Sequence, residues 1–318
     1  MRSIMKKMFL LSVLLFTSPG LMADEFFDGF SADKINSTVY VIHGPRELPT
    51  AANRGFMNNP AFIIADKSVV VVDPGSSHHS GVMVLREIKK ITDKPVSHIF
   101  NTHVHGDHWL ANEIIKQRYP SVEIIADPRM IKKAKAGAAQ TWLDNMLTMT
   151  EGATKGTKIA YPDTAVSDGK QLKVAGLNFN IHSVGIAHSD TDIMIEYVEG
   201  STFFTGDNVG YLRILRMSDG SFRDVIKALD RAISLKKKHY IPGHGPSGDV
   251  KIVQSQREYF NILYTQVEKY YEEGLEDFEM KPMIEKALSE YKDWDGFDEE
   301  LGKHISLAKL EVEKAEFE

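Results

Sequence analysis

The sequence predicts an α/β fold on two observations. Strand, loop, helix and strand patterns follow one another repeatedly along the chain, and this order is typical of the class. Apolar β-branched runs such as Val69-Val70-Val71-Val72 are typical of strands that are buried on both faces of a sheet. The chain has 318 residues, of which 42% are hydrophobic and 26% charged, and this allows a layered core in one large or two modest domains.

The first half of the chain holds five predicted strands and two predicted helices. The strands lie at residues 39–42, 61–65, 68–73, 96–100 and 122–126, and the helices lie at residues 82–91 and 109–119. Residues 44–60 are rich in Pro, Gly and Asn, which predicts a long loop of the kind that often binds ligands. Residues 129–157 favour helix and are interpreted as an insertion.

The second half repeats the pattern and then becomes helical. Strands are predicted at residues 172–174, 177–184, 192–198, 201–205 and 239–241, and a helix is predicted at residues 222–235. From Ile252 onwards the spacing predicts amphipathic helices with many Glu and Lys residues. These helices could cap the core or form a dimer contact, so the oligomeric state stays open.

Residues 1–23 have the three parts of a cleaved signal peptide. Three basic residues precede an apolar run at residues 8–16, and the small residue Ala23 ends the segment. We therefore expect a periplasmic or secreted protein, and a buried N-terminal helix is the alternative. Because the apolar run is too short for a transmembrane span, we expect no stable membrane insertion after cleavage.

Charge and cysteine content exclude several classes of function. The formal net charge is −6, and removal of the basic leader makes the mature chain more acidic. An acidic exported protein is a poor nucleic-acid binder, because that binding depends on Lys and Arg to neutralise phosphates. The chain has no cysteine, which excludes disulfides, thiolate metal ligands and a cysteine nucleophile.

Potential metal ligands are concentrated in the run His103-Val104-His105-Gly106-Asp107-His108. Imidazole nitrogens and carboxylate oxygens bind zinc and its neighbouring metals. Three further candidates, His188, Asp207 and His244, each follow a predicted strand, with glycines nearby that allow sharp turns. Since strand ends can converge on one rim of a sheet, we expect these side chains to complete one metal site.

These residues resemble, in order, the five motifs of the metallo-β-lactamase superfamily, the first of which is Asp73 in Val-Asp-Pro-Gly. The resemblance covers residues from about 39 to 246 and implies an αββα sandwich. We place this domain at residues 24–250 and a C-terminal helical extension at residues 251–318. The family pattern assigns His103, His105 and His188 to one metal, Asp107, His108 and His244 to a second, and Asp207 to both. It also implies that Asp73 orients the ligand loop.

The ligand set implied by this resemblance favours two zinc ions, with iron or manganese as alternatives. Such a pair lowers the pKa of a bridging water and polarises a substrate carbonyl. Asp107, the expected catalytic residue, would orient the water and shuttle its proton. The predicted function is therefore hydrolysis of an ester, thioester or amide-like bond in a small molecule.

Two positions bear on the substrate. Asp207 stands where many zinc β-lactamases have a cysteine ligand, and Gly210 stands where those enzymes have a carboxylate-binding lysine. The ligand set is similar to that of hydroxyacylglutathione hydrolases. The loop at residues 48–55 and the C-terminal extension resemble exported zinc metallohydrolases associated with sulfur-oxidation and quinoprotein systems. β-Lactam hydrolysis, a mononuclear iron enzyme that oxidises persulfides, and a non-catalytic partner protein stabilised by metal are the alternatives.

Other polar residues are weaker candidates. Arg213 and Arg216 could bind a substrate carboxylate or carry surface charge, and Arg54 lies in the predicted binding loop. His182 is interpreted as part of the polar face of a half-exposed sheet. His78 and His79 could lie near the rim of the site, but structural or neutral positions are expected for them. The sequence indicates no partner for the remaining histidines, which are His43, His98, His239 and His304.

Overall fold

The computed structural model describes residues 25–317, so the signal peptide expected at residues 1–23 lies outside the described residues. Ten α-helices lie within the described range. They are α1 (Glu25–Asp28), α2 (His78–Ile91), α3 (Gly106–Trp109), α4 (Asn112–Arg118), α5 (Pro128–Lys133), α6 (Ala139–Met149), α7 (Phe222–Ser234), α8 (Val250–Glu272), α9 (Asp277–Ala287) and α10 (Phe297–Ala315). Within that range no helix is both long and apolar enough to span a bilayer.

Twelve strands of the described chain form two sheets. The first sheet has seven strands, which are β1 (Asp33–Lys34), β2 (Val39–Val41), β3 (Ala61–Ile64), β4 (Val69–Val72), β5 (Val96–Phe100), β6 (Glu123–Ala126) and β7 (Thr164–Ala165). The second sheet has five, which are β8 (Gln171–Val174), β9 (Leu177–His182), β10 (Met194–Tyr197), β11 (Thr202–Gly210) and β12 (His239–His244).

Parallel pairing in both sheets determines where strand ends meet. Strands β4 to β7 pair in parallel in the first sheet, and β11 pairs in parallel with β12 in the second. The carboxyl ends of parallel neighbours lie at the same edge of a sheet, and loops after those ends commonly carry binding residues. The residues that follow β4 and β5 therefore lie at one edge of the first sheet, and those that follow β11 and β12 lie at one edge of the second.

Three apolar clusters show the layers of the fold. One lies between the two sheets and includes Val70 and Phe100 of the first sheet and Ile195 of the second. A second cluster packs the outer face of the first sheet against α2 and α4. The third packs the second sheet against α7, α8 and α10. The layers run helix, sheet, sheet, helix, which confirms the predicted αββα sandwich and places the C-terminal helices on its core.

The local differences from the sequence prediction are concentrated near the rim. Strand β11 extends to Gly210 through two register shifts against β12, so that Asp207 lies within a strand rather than after it. The predicted helix at residues 109–119 is shorter, because Trp109 ends α3 and α4 begins only at Asn112, after Leu110 and Ala111. Helix α2 begins at His78 rather than at residue 82, because the side chain of Ser77 caps it.

Candidate metal centre

The histidine run follows the carboxyl end of β5 and turns directly into α3. His103 comes three residues after the strand, His105 occupies the N-cap position of α3, and Asp107 and His108 lie in the first turn. A single short helix therefore turns consecutive side chains towards one place. All four residues are at least nine-tenths buried.

The remaining three residues come from the second sheet. His188 lies between β9 and β10, Asp207 lies within β11, and His244 ends β12. The backbone of β12 passes so close to Asp207 that a Cβ atom at Gly243 would lie 1.9 Å from the Asp207 Oδ1 atom. Glycine at position 243 is thus a steric requirement of this arrangement.

The structure brings all seven predicted residues together as two groups of four that share Asp207. The first group is His103, His105, His188 and Asp207, and the second is Asp107, His108, Asp207 and His244. Within each group one ligand atom per residue lies within 4.8 Å of the others. Both groups consist of nitrogen and oxygen donors, which suits zinc and neighbouring divalent metals.

Unpartnered polar atoms support the fit of a cation. The Nε2 atoms of His103 and His108 and the Oδ1 atom of Asp207 are buried and have no hydrogen-bond partner among the described residues. The His108 Nε2 atom lies 3.0 Å from Asp207 Oδ1, and the His188 Nε2 atom lies 3.5 Å from Asp207 Oδ2. Buried polar atoms without partners are costly, and metal ions between them would satisfy them.

Hydrogen bonds to the outer ring nitrogens orient four of the five histidines. The bonds join His108 Nδ1 to Asp73 Oδ2 (2.9 Å), His103 Nδ1 to Thr102 Oγ1 (3.0 Å), His244 Nδ1 to the Met57 carbonyl (2.7 Å) and His105 Nε2 to Asp219 Oδ2 (3.1 Å). Each of these partners can accept a hydrogen bond, so each histidine donates from its outer nitrogen. The other ring nitrogen, which can bind a metal when it carries no proton, then faces the centre.

Asp73 is the most constrained of these orienting residues. Its φ of 49° lies in the left-handed region, which costs energy for a residue with a side chain. Its carboxylate accepts bonds from the Thr102 amide at 2.8 Å, the Thr102 hydroxyl at 2.6 Å and His108 at 2.9 Å. These three bonds hold the strained turn and link it to the histidine run, as the sequence resemblance implied.

The electrostatic environment places most of these groups in metal-binding protonation states. Burial opposes ionisation of Asp207, but His108 and His244 outweigh it and hold the pKa of Asp207 well below its ordinary value. Burial lowers the pKa of His188 to about 3, so this ring is neutral. For His108, burial is outweighed by Asp207, Asp107 and Asp73, which raise its pKa well above the ordinary value. A metal ion must therefore displace a proton from His108.

A cavity of about 400 Å³ opens onto the candidate metal centre, where five of the seven residues line it, namely His105, Asp107, His188, Asp207 and His244. Helix α6, in the predicted insertion, contributes Trp142, Met146 and Met149, and the loop at residues 44–60 contributes Leu48, Pro49 and Met57. The opposite side is formed by the segment after β11 and by α10, with Arg213, Leu215, Arg216, Ser218, Asp219, Glu300 and Lys303. The cavity has the size of a small-molecule site.

The family follows from a comparison of this chain with known proteins. Residues 53–244, more than half of the chain, match the family model described as the metallo-beta-lactamase superfamily. The chain belongs to the metallo-β-lactamase superfamily. The His/Asp cluster is its candidate metal centre.

Individual superfamily members are distant. A hydroxyacylglutathione hydrolase of Prochlorococcus marinus (strain MIT 9312) is 25% identical to this chain over 178 residues. The matched region covers 55% of this chain and only 59% of that relative's length. A "probable metallo-hydrolase" of Methanocaldococcus jannaschii is 27% identical over 61% of this chain and 91% of that relative. The solved structure of a metallo-β-lactamase from Pontibacter korlensis superposes with a TM-score of 0.57 at 18% sequence identity. The superposition covers 73% of this chain and 99% of that protein, so the two share a fold.

The two arginines after Asp207 differ in their surroundings in this superfamily member. Arg213 is 6% exposed, and its Nη1 atom lies 3.2 Å from His244 Nδ1, whereas Arg216 is exposed at the mouth of the cavity. In the loop at residues 44–60, Met57 lines the cavity but Phe56 is buried in the core beneath the first sheet. Arg54 does not line this cavity.

His182 lies on the polar face of β9, as expected, where Asn178 is exposed and Asn180 is half-buried. The His182 side chain itself is buried at the end of the strand and lies 2.9 Å from the Glu196 carboxylate. His304 is also buried and bridges the Tyr259 hydroxyl and the Leu215 carbonyl. Asp219, Trp142 and the α10 residues were not predicted as part of the site, because loop and helix patterns do not indicate which residues approach a distant strand end.

Proposed function

We propose that this chain is an exported dinuclear zinc hydrolase that cleaves an ester, thioester or amide-like bond in a small molecule. The observation that carries the proposal is the pair of four-residue groups joined by Asp207. Structural zinc sites are usually closed sets of four ligands, often with cysteine. Six histidine and aspartate residues around the shared carboxylate of Asp207, at the floor of an open cavity, instead favour catalysis.

The chain's own residues define what the site can do. When bound, a pair of zinc ions supplies Lewis acidity and makes hydroxide available near neutral pH. Asp107 lines the cavity, and its carboxylate lies 3.2 Å from His244 Nε2 and 3.3 Å from His108 Nε2. The two imidazoles outweigh burial and hold the pKa of Asp107 well below its ordinary value. An ionised carboxylate here can accept a hydrogen bond from the attacking water and pass its proton to the leaving group.

Metal analysis combined with a substrate panel tests the proposal. The mature protein should contain two equivalents of zinc and hydrolyse at least one of acyl thioesters, aryl esters and chromogenic lactams. A chelator should abolish turnover, and zinc should restore it. Zinc-loaded protein that is inert towards the whole panel would contradict the proposal.

The alternatives predict different results in the same preparation. A mononuclear iron enzyme would contain one equivalent of iron and consume oxygen with persulfides. A non-catalytic partner protein would keep its biological role in an Asp107→Asn variant. The proposed hydrolase should instead lose about 100-fold or more in kcat in that variant at saturating zinc, while Asp144→Asn, on an exposed part of α6, should retain activity.

The proposed location depends on residues 1–23. The order of basic residues, apolar run and small residue favours cleavage and export to the periplasm. Cell fractionation and N-terminal sequencing of the mature protein test this directly. A cytoplasmic protein that retains Met1 would contradict export while leaving the hydrolase proposal intact.

A further inference from the structure

The cavity above the metal centre has one apolar wall. Trp142 lies beside the candidate ligand His105, with ring centroids 4.9 Å apart. Met149 and Leu48 continue this wall to the mouth of the cavity, where they are 39% and 61% exposed. Apolar side chains grouped at the entrance of a pocket indicate that an apolar ligand group covers them.

The opposite wall carries a buried cation without a carboxylate partner. Among the described residues no carboxylate oxygen is paired with Arg213, and His244 Nδ1 is its one side-chain hydrogen-bond partner. That nitrogen already donates to the Met57 carbonyl, so it is a poor acceptor for the guanidinium. Arg213 is also 6% exposed, so little solvent reaches this guanidinium.

The carboxylates near Arg213 are all engaged elsewhere. Asp107 and Asp207 belong to the candidate metal groups, Asp295 pairs with Arg46 at 2.9 Å, and Glu300 pairs with Lys303 at 2.7 Å. An unpaired buried charge is costly. A guanidinium also presents donors in a fork that matches an oxyanion. A ligand oxyanion is the partner that this wall lacks.

We propose that the substrate is amphipathic, with an apolar acyl group against Trp142 and Met149 and an oxyanion, best a carboxylate, on Arg213. This inference rests on the proposed hydrolase function and adds its substrate class. The scissile bond then lies over the metal groups between the two walls. Water adds across that bond, so that the acyl carbon gains a hydroxyl and the leaving sulfur, oxygen or nitrogen gains the proton.

Matched thioesters test both walls. The probes are acetyl, butanoyl and hexanoyl thioesters of 3-mercaptopropionate and of its methyl ester, with the released thiol measured spectrophotometrically. For the zinc-loaded protein, kcat/KM should rise about tenfold or more from acetyl to hexanoyl, and the acid should exceed the methyl ester about tenfold.

Variants assign each preference to its wall. Arg213→Met should lower the acid-to-ester ratio to near one, mainly through KM, while Arg223→Met on the exposed side of α7 should leave it unchanged. Met149→Ser, at an exposed position that the fold tolerates, should flatten the dependence on chain length. An unchanged acid preference in Arg213→Met would overturn the proposed role of this residue.

A binding measurement separates this inference from catalysis. Calorimetry on the chelated protein should show that N-hexanoylglycine binds at least about tenfold more tightly than N-hexanoylglycinamide, and Arg213→Met should remove the difference. If zinc-loaded protein hydrolyses all thioesters without acid or chain-length preference, the substrate class is wrong and the hydrolase proposal stands. If it hydrolyses no ester, thioester or lactam, the hydrolase proposal itself fails.

Discussion

Asp73→Asn tests how the metal centre is organised, because this change alters one atom of a buried carboxylate. Asparagine tolerates the left-handed φ of 49° at this position, so the turn itself should persist. The amide, however, has one acceptor where the carboxylate accepts three bonds, from Thr102 N, Thr102 Oγ1 and His108 Nδ1. Two donors, Thr102 Oγ1 and His108 Nδ1, therefore face the new NH2 group, and each must change its role to keep its hydrogen bond.

His108 is the donor whose change of role affects metal binding. The Thr102 backbone amide can only donate, so the asparagine side-chain oxygen must accept its hydrogen bond. The asparagine NH2 group then faces His108. His108 can accept this bond only by moving its proton to Nε2, the nitrogen that faces Asp107 and Asp207. A protonated Nε2 cannot bind metal. Loss of such an orienting partner typically costs 10- to 100-fold in metal affinity, or about 1.4 to 2.7 kcal/mol.

Competition with a chelating dye measures this loss. We expect one of the two zinc equivalents to bind 10- to 100-fold more weakly in Asp73→Asn, and the thermal stabilisation by zinc to shrink accordingly. Asp163→Asn is the matched control, because Asp163 also accepts a backbone bond, from Ile124, but lies far from the histidines. If Asp73→Asn binds both equivalents as tightly as wild type, the proposed hydrogen-bond control of His108 is refuted.

Three further predictions concern the segment after β11 and the helices that hold it. Asp219→Ala should weaken one zinc equivalent less than Asp73→Asn does, because Asp219 is half exposed and water can replace it on His105; an equal or larger loss in dye competition would contradict this. Burial lowers the pKa of His304 from 6.5 to about 4, so the folded state binds fewer protons and stability should fall by roughly 3 kcal/mol as pH drops from 6.5 to 4. His304→Gln should remove that part of the pH dependence in chelated protein, and identical pH profiles would refute it. Glu311→Ala removes three hydrogen bonds to Ser221 and the first turn of α7. It should lower the free energy of unfolding measured in urea by about 2 kcal/mol, whereas Glu313→Ala should lower it by less than about 0.5 kcal/mol.

The layered fold could be predicted because local patterns specify it. The run at residues 69–72 is apolar at every position and forms β4, which is buried on both faces. Amphipathic spacing after Ile252 likewise forms helices whose apolar faces pack on the second sheet. The prediction failed where pairing between distant segments decides the outcome, as in β11, which continues to Gly210 because β12 pairs with it across two irregularities.

The candidate ligands could also be predicted, because the chemistry is local to short motifs at strand ends. The cavity walls could not. Trp142 belongs to a helical pattern that gives no direction relative to His105, and Lys303 lies almost 200 residues after the histidine run.

Anomalous diffraction at the zinc absorption edge tests the central claim most directly. Crystals of the mature protein should show two zinc peaks about 3.5–4 Å apart. One should be bound by His103 Nε2, His105 Nδ1 and His188 Nε2, the other by Asp107, His108 and His244, with Asp207 between them. A single peak at saturating zinc, or zinc bound through the outer nitrogen of His105 or His108, would contradict the account.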